Sequence, residues 1–128
     1  MNQLQTLAAP LARIMISLIF VTSGFGKISG YAATQGYMEA MGVPGALLPL
    51  VIAVELLGGL AVIVGWHTRI AAFLLAGFSL LSAFLFHANF GDQTQMIMFM
   101  KNISIAGGFL MIVSLGGGAF AFDSRKGE

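Results

Sequence analysis

The chain has 128 residues, of which 58% are hydrophobic and 9% are charged, and its mean hydropathy is +0.92. Because an average soluble domain is about 25% charged, this composition excludes a soluble globular fold of this size and indicates a membrane protein. The net charge of +1, without any run of lysine or arginine, excludes nucleic acid as a partner.

Four apolar stretches follow one another along the chain, and with their flanking residues they predict spans at about 9–27, 46–65, 69–87 and 97–117. A helix needs about 20 mostly apolar residues to cross the hydrocarbon core of a bilayer. Pro10 is expected in the first helical turn, where its missing N–H costs no hydrogen bond. The first stretch also fits a signal peptide, but no A-x-A-like cleavage site closes it, so a retained first helix is favoured.

The segment between the first two spans is more polar than the spans themselves. Tyr37, Met38 and Met41 stand at helical spacing, which predicts a short helix lying in the membrane interface. The glycines and proline at 42–45 end it.

The remaining connections are short. Trp66 resembles an interfacial anchor, and residues 67–69 predict a tight turn that makes the second and third spans an antiparallel hairpin. Three glycines at 116–118 end the fourth span, and residues 123–128 are expected to form a solvated tail. The predicted fold is an all-α integral membrane four-helix bundle, formed by a single domain over residues 1–128.

Cysteine is absent from the chain, and it has only two histidines. Disulfides, thiolate-held metal centres and dithiol relays are therefore excluded. The histidines are too few and too far apart to predict a metal site. Any redox chemistry must use a bound cofactor or a partner protein.

Glu55 is the ionisable residue that a membrane tolerates least. A charge at the centre of a span costs roughly 2.5 to 3.5 kcal/mol on insertion scales, and a short carboxylate cannot reach the headgroups, so it must be neutral, paired or hydrated. We predict an ion pair between Glu55 and Lys101, or otherwise between Glu55 and Lys27. Arg13 is expected instead to extend its side chain to the headgroups.

Each span has one polar or small face that can turn inward, because steps of three and four residues return to the same side of a helix. The third span, for example, carries a stripe of alanines with Ser79 that ends at His87. Lys27 and His87 also fit simple interfacial positions. The faces together predict an intramembrane pocket for a ligand or proton, lined by Lys27, Glu55, His87, Lys101 and Asn102.

Several short motifs together closely resemble the DoxX family of small four-helix inner-membrane proteins. They are Phe25-Gly26-Lys27, Glu55 to Gly59, Gly65 with Thr68-Arg69, His87, Lys101-Asn102 with Gly107-Gly108, and Gly116 to Gly118 followed by Asp123. The resemblance covers nearly the whole chain. It implies a bacterial cytoplasmic membrane and a loose association with redox complexes, some relatives being described as quinol-oxidase or thiosulfate:quinone oxidoreductase subunits.

The sequence therefore predicts a redox-associated membrane subunit that binds a quinone-like or other small amphipathic molecule. No catalytic residue is assigned, and in an oxidoreductase complex the chain would be an accessory subunit. Its partners would be the lipid bilayer and redox-complex subunits, or further copies of itself. Two alternatives are a proton-coupled small-molecule transporter and a purely structural or assembly subunit.

The orientation prediction rests on charge. Arg13, Arg69, Arg125 and Lys126 fall on one side of the membrane, against Lys27 and Lys101 on the other, so the positive-inside rule places both termini in the cytoplasm. A C-terminal alkaline phosphatase fusion should be inactive, and a cytoplasmic reporter at the same place should be active. The reverse pattern would contradict the orientation or the number of spans.

Overall fold

The computed structural model describes residues 3–123, and all of its regular structure is helical. The helices are α1 (Gln3–Ser29), α2 (Tyr31–Ala40), α3 (Leu48–Val64), α4 (Thr68–Phe86) and α5 (Gln93–Leu115), with one 3₁₀ turn at Gly45–Leu47 before α3. Four of them, all except α2, are long and apolar enough to cross a membrane. The predicted all-α fold with four spans is confirmed, and α2 occupies the place of the predicted short helix.

Helix α1 begins earlier than predicted. It starts at Gln3, so Pro10 lies inside the helix and not in its first turn. The preceding residues are mainly Gln, Leu and Ala, which are good helix formers, and they extend the helix ahead of the proline. The prediction for Pro10 is therefore wrong.

The four long helices form a ring in the order α1, α3, α4 and α5, each packed on the next. Helix α5 closes the ring against α1 near Gly108, where a Cβ atom would lie only 2.5 Å from Ile16 Cδ1. The centre of the bundle is aromatic, with Phe20 in edge-to-face contact with Phe109 at 5.5 Å and with Phe78 at 6.3 Å between ring centroids. Such pairs add about 0.5–1.5 kcal/mol beyond the apolar area that they bury.

We name the two ends of the bundle by the chain segments that they contain. The terminal end contains the start of α1, the α3–α4 turn and residues 116–123, whereas the α2 end contains α2 and the connection from His87 to Asp92. At the terminal end Arg13 is only 2% exposed. Its guanidinium donates hydrogen bonds to Ile63 O (2.7 Å) and Ala119 O (2.9 Å).

The expectation that Arg13 reaches the headgroups is therefore wrong. The last carbonyls of a helix have no partner within the helix, and they carry the negative end of its dipole, which favours a cation. Arg13 of α1 supplies both the donors and the charge at the end of α3.

At the terminal end Asp123 binds the start of α4. Its carboxylate accepts hydrogen bonds from His67 N (2.9 Å), Thr68 N (2.8 Å) and Thr68 Oγ1 (2.6 Å), and its own N–H donates to Gly65 O (2.8 Å). Asp123 is thus a long-range N-cap for α4, and it is 9% exposed. This residue does not belong to the predicted solvated tail, whose remainder, 124–128, lies outside the described residues.

We expect Asp123→Ala to destabilise the protein more than Asp92→Ala. Asp92 caps the exposed start of α5 by accepting from Thr94 N (2.9 Å) and Gln95 N (3.3 Å), and loss of such a cap costs about 1 kcal/mol. Loss of Asp123 also leaves a buried hydroxyl without a partner, which raises the cost to about 2–4 kcal/mol. Thermal unfolding in detergent, followed by circular dichroism, measures both. Equal losses would contradict the role of Asp123.

Candidate functional site

One cavity of about 440 Å³ lies between the four long helices at the α2 end. Its volume falls within the roughly 300–1,000 Å³ typical of small-molecule sites. Most of its wall is apolar, with contributions from Ile19, Leu50, Val54 and Phe78. All five residues of the predicted pocket line it: Lys27, Glu55, His87, Lys101 and Asn102. The structure therefore brings them together, although they come from three different helices, α1, α3 and α5, and from the end of α4.

Glu55 forms an ion pair with Lys27, at 2.9 Å between Nζ and Oε1. The Glu55 side chain is 4% exposed and that of Lys27 is 26% exposed. The ammonium also donates a hydrogen bond to Ser23 Oγ at 2.7 Å, one helical turn earlier on α1. The contact with Oε1 lacks hydrogen-bond geometry, since this buried oxygen has no hydrogen-bond partner among the described residues, so charge attraction dominates it.

The preferred pairing of Glu55 with Lys101 is therefore wrong, and the second choice, Lys27, is the partner. The reason lies in the order of the helices, because α1 packs directly on α3 whereas α5 packs on α4. Gly24 permits this close approach, since a Cβ atom there would lie 2.7 Å from Leu56 Cγ. Helix spacing along the sequence gives depth in the membrane but not which helices are neighbours.

Lys101 and Asn102 stand on the wall formed by α5. Lys101 is exposed, and among the described residues no carboxylate lies within the 4.0 Å of an ion pair to its ammonium. His87 caps the end of α4, and its Nδ1 lies 2.9 Å from Gln95 Oε1. Because an amide oxygen only accepts, this contact places the proton on Nδ1. The other ring nitrogen, Nε2, is then an acceptor in the neutral ring.

Helix α2 covers the cavity at its end. Tyr37 stacks on Phe86 with 5.5 Å between ring centroids, and Met38 is only 4% exposed. Gln35 Nε2 donates to Gly45 O at 3.2 Å, which ties α2 to the turn before α3. The cavity is therefore separated from the aqueous phase at the α2 end by packed side chains.

Hydroxyl groups of the cavity were not predicted as site residues. Ser79 is 2% exposed, it lines the cavity, and its Oγ has no hydrogen-bond partner among residues 3–123. Ser82, Ser23 and Thr34 also line the wall. Ser79 belongs to the stripe of small residues on the third span, so helical periodicity predicted that its side of the helix can turn inward. Periodicity alone does not distinguish a hydroxyl facing a cavity from one in ordinary helix packing.

Comparison with known proteins agrees with this architecture. The DoxX family model matches residues 8–88. The chain is similar to the inner membrane protein YqjF of Escherichia coli (strain K12), with 53% identity over 96% of this chain and 95% of the relative. It is also similar to the inner membrane protein YphA of the same organism, with 37% identity over 90% and 87% of the two chains.

A more distant relative is named "Putative oxidoreductase CatD" and comes from Bacillus subtilis (strain 168). It is 32% identical over 59% of this chain and 57% of its own length. No solved structure matches significantly.

The ion pair predicts a specific coupling between two substitutions. Glu55→Gln and Lys27→Met should each destabilise the protein, whereas together they should cost less than the sum, with a coupling of about 0.5–3 kcal/mol. Unfolding in a mixed detergent series measures all four proteins of the cycle. Lys101→Met is the matched control, and with Glu55→Gln it should be additive. Additivity for Lys27, or coupling for Lys101 alone, would refute the pairing.

Proposed function

The chain belongs to the DoxX family, and on that premise we propose that it is a redox-associated inner-membrane protein that binds a quinone-like or other small amphipathic molecule. The observation that carries this proposal is the cavity, which is apolar over most of its wall and has its charged and hydroxyl groups on a few facing positions. Ligand sites in proteins have this composition, since apolar surface supplies affinity and a few polar groups set orientation.

The polar groups suit the oxygens of a quinone head. Lys101 would donate a hydrogen bond to one oxygen, and His87, which also lines the cavity, would accept one through Nε2 from the hydroxyl of the reduced head. Glu55, held by Lys27 at 2.9 Å, would carry or stabilise the proton that accompanies reduction. Asn102 adds an amide that can donate or accept beside Lys101.

Electrons would reach such a ligand from elsewhere. The chain has no cysteine, and no group of three metal-binding side chains converges within the described residues. An accessory subunit of a membrane oxidoreductase fits these facts. The name of the relative CatD as an oxidoreductase supports the same association. With both termini cytoplasmic, the cavity would lie in the outer half of the membrane.

The ion pair argues against the transporter alternative. A proton-coupled exporter of lipophilic cations needs a carboxylate that exchanges its proton for the substrate. Here Glu55 already faces the ammonium of Lys27 at 2.9 Å, and Lys101 adds a second positive charge to the cavity. Like charges in a binding site reject cationic substrates.

A binding comparison tests the proposal. We expect purified protein to bind a short-chain ubiquinone analogue, and to bind the lipophilic cation tetraphenylphosphonium at least tenfold more weakly. Lys101→Met should weaken binding of the analogue about 10-fold, equivalent to about 1.4 kcal/mol. Isothermal titration of wild type, Lys101→Met and Glu55→Gln measures these affinities.

The outcomes separate the three functions. Tight cation binding that requires Glu55 and releases a proton, without binding of the analogue, would establish the transporter. Absence of binding by both probes, with correctly folded protein, would favour a structural subunit.

A further inference from the structure

The charges around the cavity do not balance. The sequence has five acidic side chains, of which Glu39, Glu55, Asp92 and Asp123 fall within the described residues. Glu55 is taken by Lys27, Asp92 caps the start of α5, and Asp123 caps α4 at the terminal end. Glu39 is exposed on α2 and lies against Gly45. None of them forms an ion pair with Lys101, which leaves one positive charge at the cavity without an anion.

Lys101 belongs to the walls of two concave surfaces. It lines the cavity, and it also lines a shallow groove on the lipid-facing side of α5, together with Met100 and Ser104. It stands eight residues into α5, or roughly 12 Å along the helix at about 1.5 Å per residue. Lys101 therefore marks the rim between the cavity and the surrounding bilayer.

Helices α1 and α5 are the most loosely packed neighbours in the ring. These two helices meet at Ile16 and Gly108, below the cavity, whereas α2 covers its end through Tyr37 and Met38. Ile19 on α1 is 41% exposed and also lines the cavity. Ile19 and Lys101, on the two sides of this loosely packed gap, are both exposed, which makes the gap a route from the cavity toward lipid.

Resting on the proposed function, we propose that the cavity selects amphiphiles with an anionic head, a carboxylate or a phenolate, which enter sideways from the bilayer between α1 and α5. The head pairs with Lys101, whose charge is otherwise uncompensated. The unpartnered, 98% buried hydroxyl of Ser79 supplies a second, independent polar contact inside the cavity. The apolar chain of the ligand extends past Lys101 along the lipid-facing groove of α5.

The selectivity follows from the cost of a cation within the membrane. An ammonium at that depth is unfavourable unless it is neutralised or hydrated, and a monoanionic head removes this cost when it binds. A neutral ester or alcohol of the same length gains only a hydrogen bond. A cationic head adds a second unpaired charge beside Lys101, which disfavours it.

The test uses full-length protein in nanodiscs of phosphatidylcholine at pH 8. Radiolabelled dodecanoate, methyl dodecanoate and dodecylamine are compared by direct equilibrium binding, so the result does not depend on binding of the quinone analogue. We expect dodecanoate to bind at least tenfold more tightly than the ester, with no saturable binding of the amine. The preference should disappear in Lys101→Met and return in Lys101→Arg.

Arg69→Gln is the matched control, because it removes one positive charge at the terminal end, where Arg69 lies against Gly116. It should keep the preference for dodecanoate. Equal binding of acid and ester, or a preference that survives Lys101→Met, would overturn the charge selection while leaving the quinone-binding proposal intact. Displacement of dodecanoate by phosphatidylglycerol at low mole fraction would assign the site to a phospholipid and overturn the inference. Absence of binding by dodecanoate and the quinone analogue alike would refute both proposals.

Discussion

The position of Glu55 inside a membrane span constrains the rest of the site. A carboxylate at this depth cannot reach water by extending its side chain, so the fold must bring a cation to it. Lys27 on α1 fulfils that requirement at 2.9 Å, and Gly24 allows α1 to approach α3 closely enough for the contact. Helix α5 packs mainly on α4 and meets α1 at Gly108 and Phe109. The cavity lies between the four helices on the α2 side of these contacts.

The two ends of the bundle use their polar residues differently. At the terminal end Arg13 and Asp123 bind backbone groups at the end of α3 and the start of α4, although Arg13 Nε has no hydrogen-bond partner among the described residues. At the α2 end Lys101 lacks a carboxylate among the described residues, and Ser79 has an unpartnered hydroxyl. Buried polar groups are normally satisfied. Ligand binding at the α2 end, as proposed, would give Lys101 and Ser79 the partners that the described residues do not supply.

The sequence was sufficient for the number of spans, for α2 and for five of the residues that line the cavity, because length, hydropathy and helical spacing are local properties. It was insufficient for the partner of Glu55, since it offered both Lys27 and Lys101 and only the order of helices around the ring distinguishes them. The environment of Arg13 was wrongly predicted for a related reason. A long cation near a span end fits the headgroups equally well until the carbonyls at the end of α3 are placed beside it. The cap by Asp123 joins residues 55 positions apart, which no local pattern reveals.

The central claim is that the cavity holds an amphipathic molecule in the membrane. Its most direct test is native mass spectrometry of protein extracted in mild detergent from the bacterial membrane, with three proteins compared: wild type, Ser79→Leu, which fills the cavity from α4, and Ser114→Leu, a matched change at an exposed position of α5. Wild type and Ser114→Leu should each carry one bound amphiphile, identifiable as a quinone or a lipophilic acid. Ser79→Leu should be folded but free of it. Wild-type protein without a bound molecule, or equal retention by Ser79→Leu, would contradict the account.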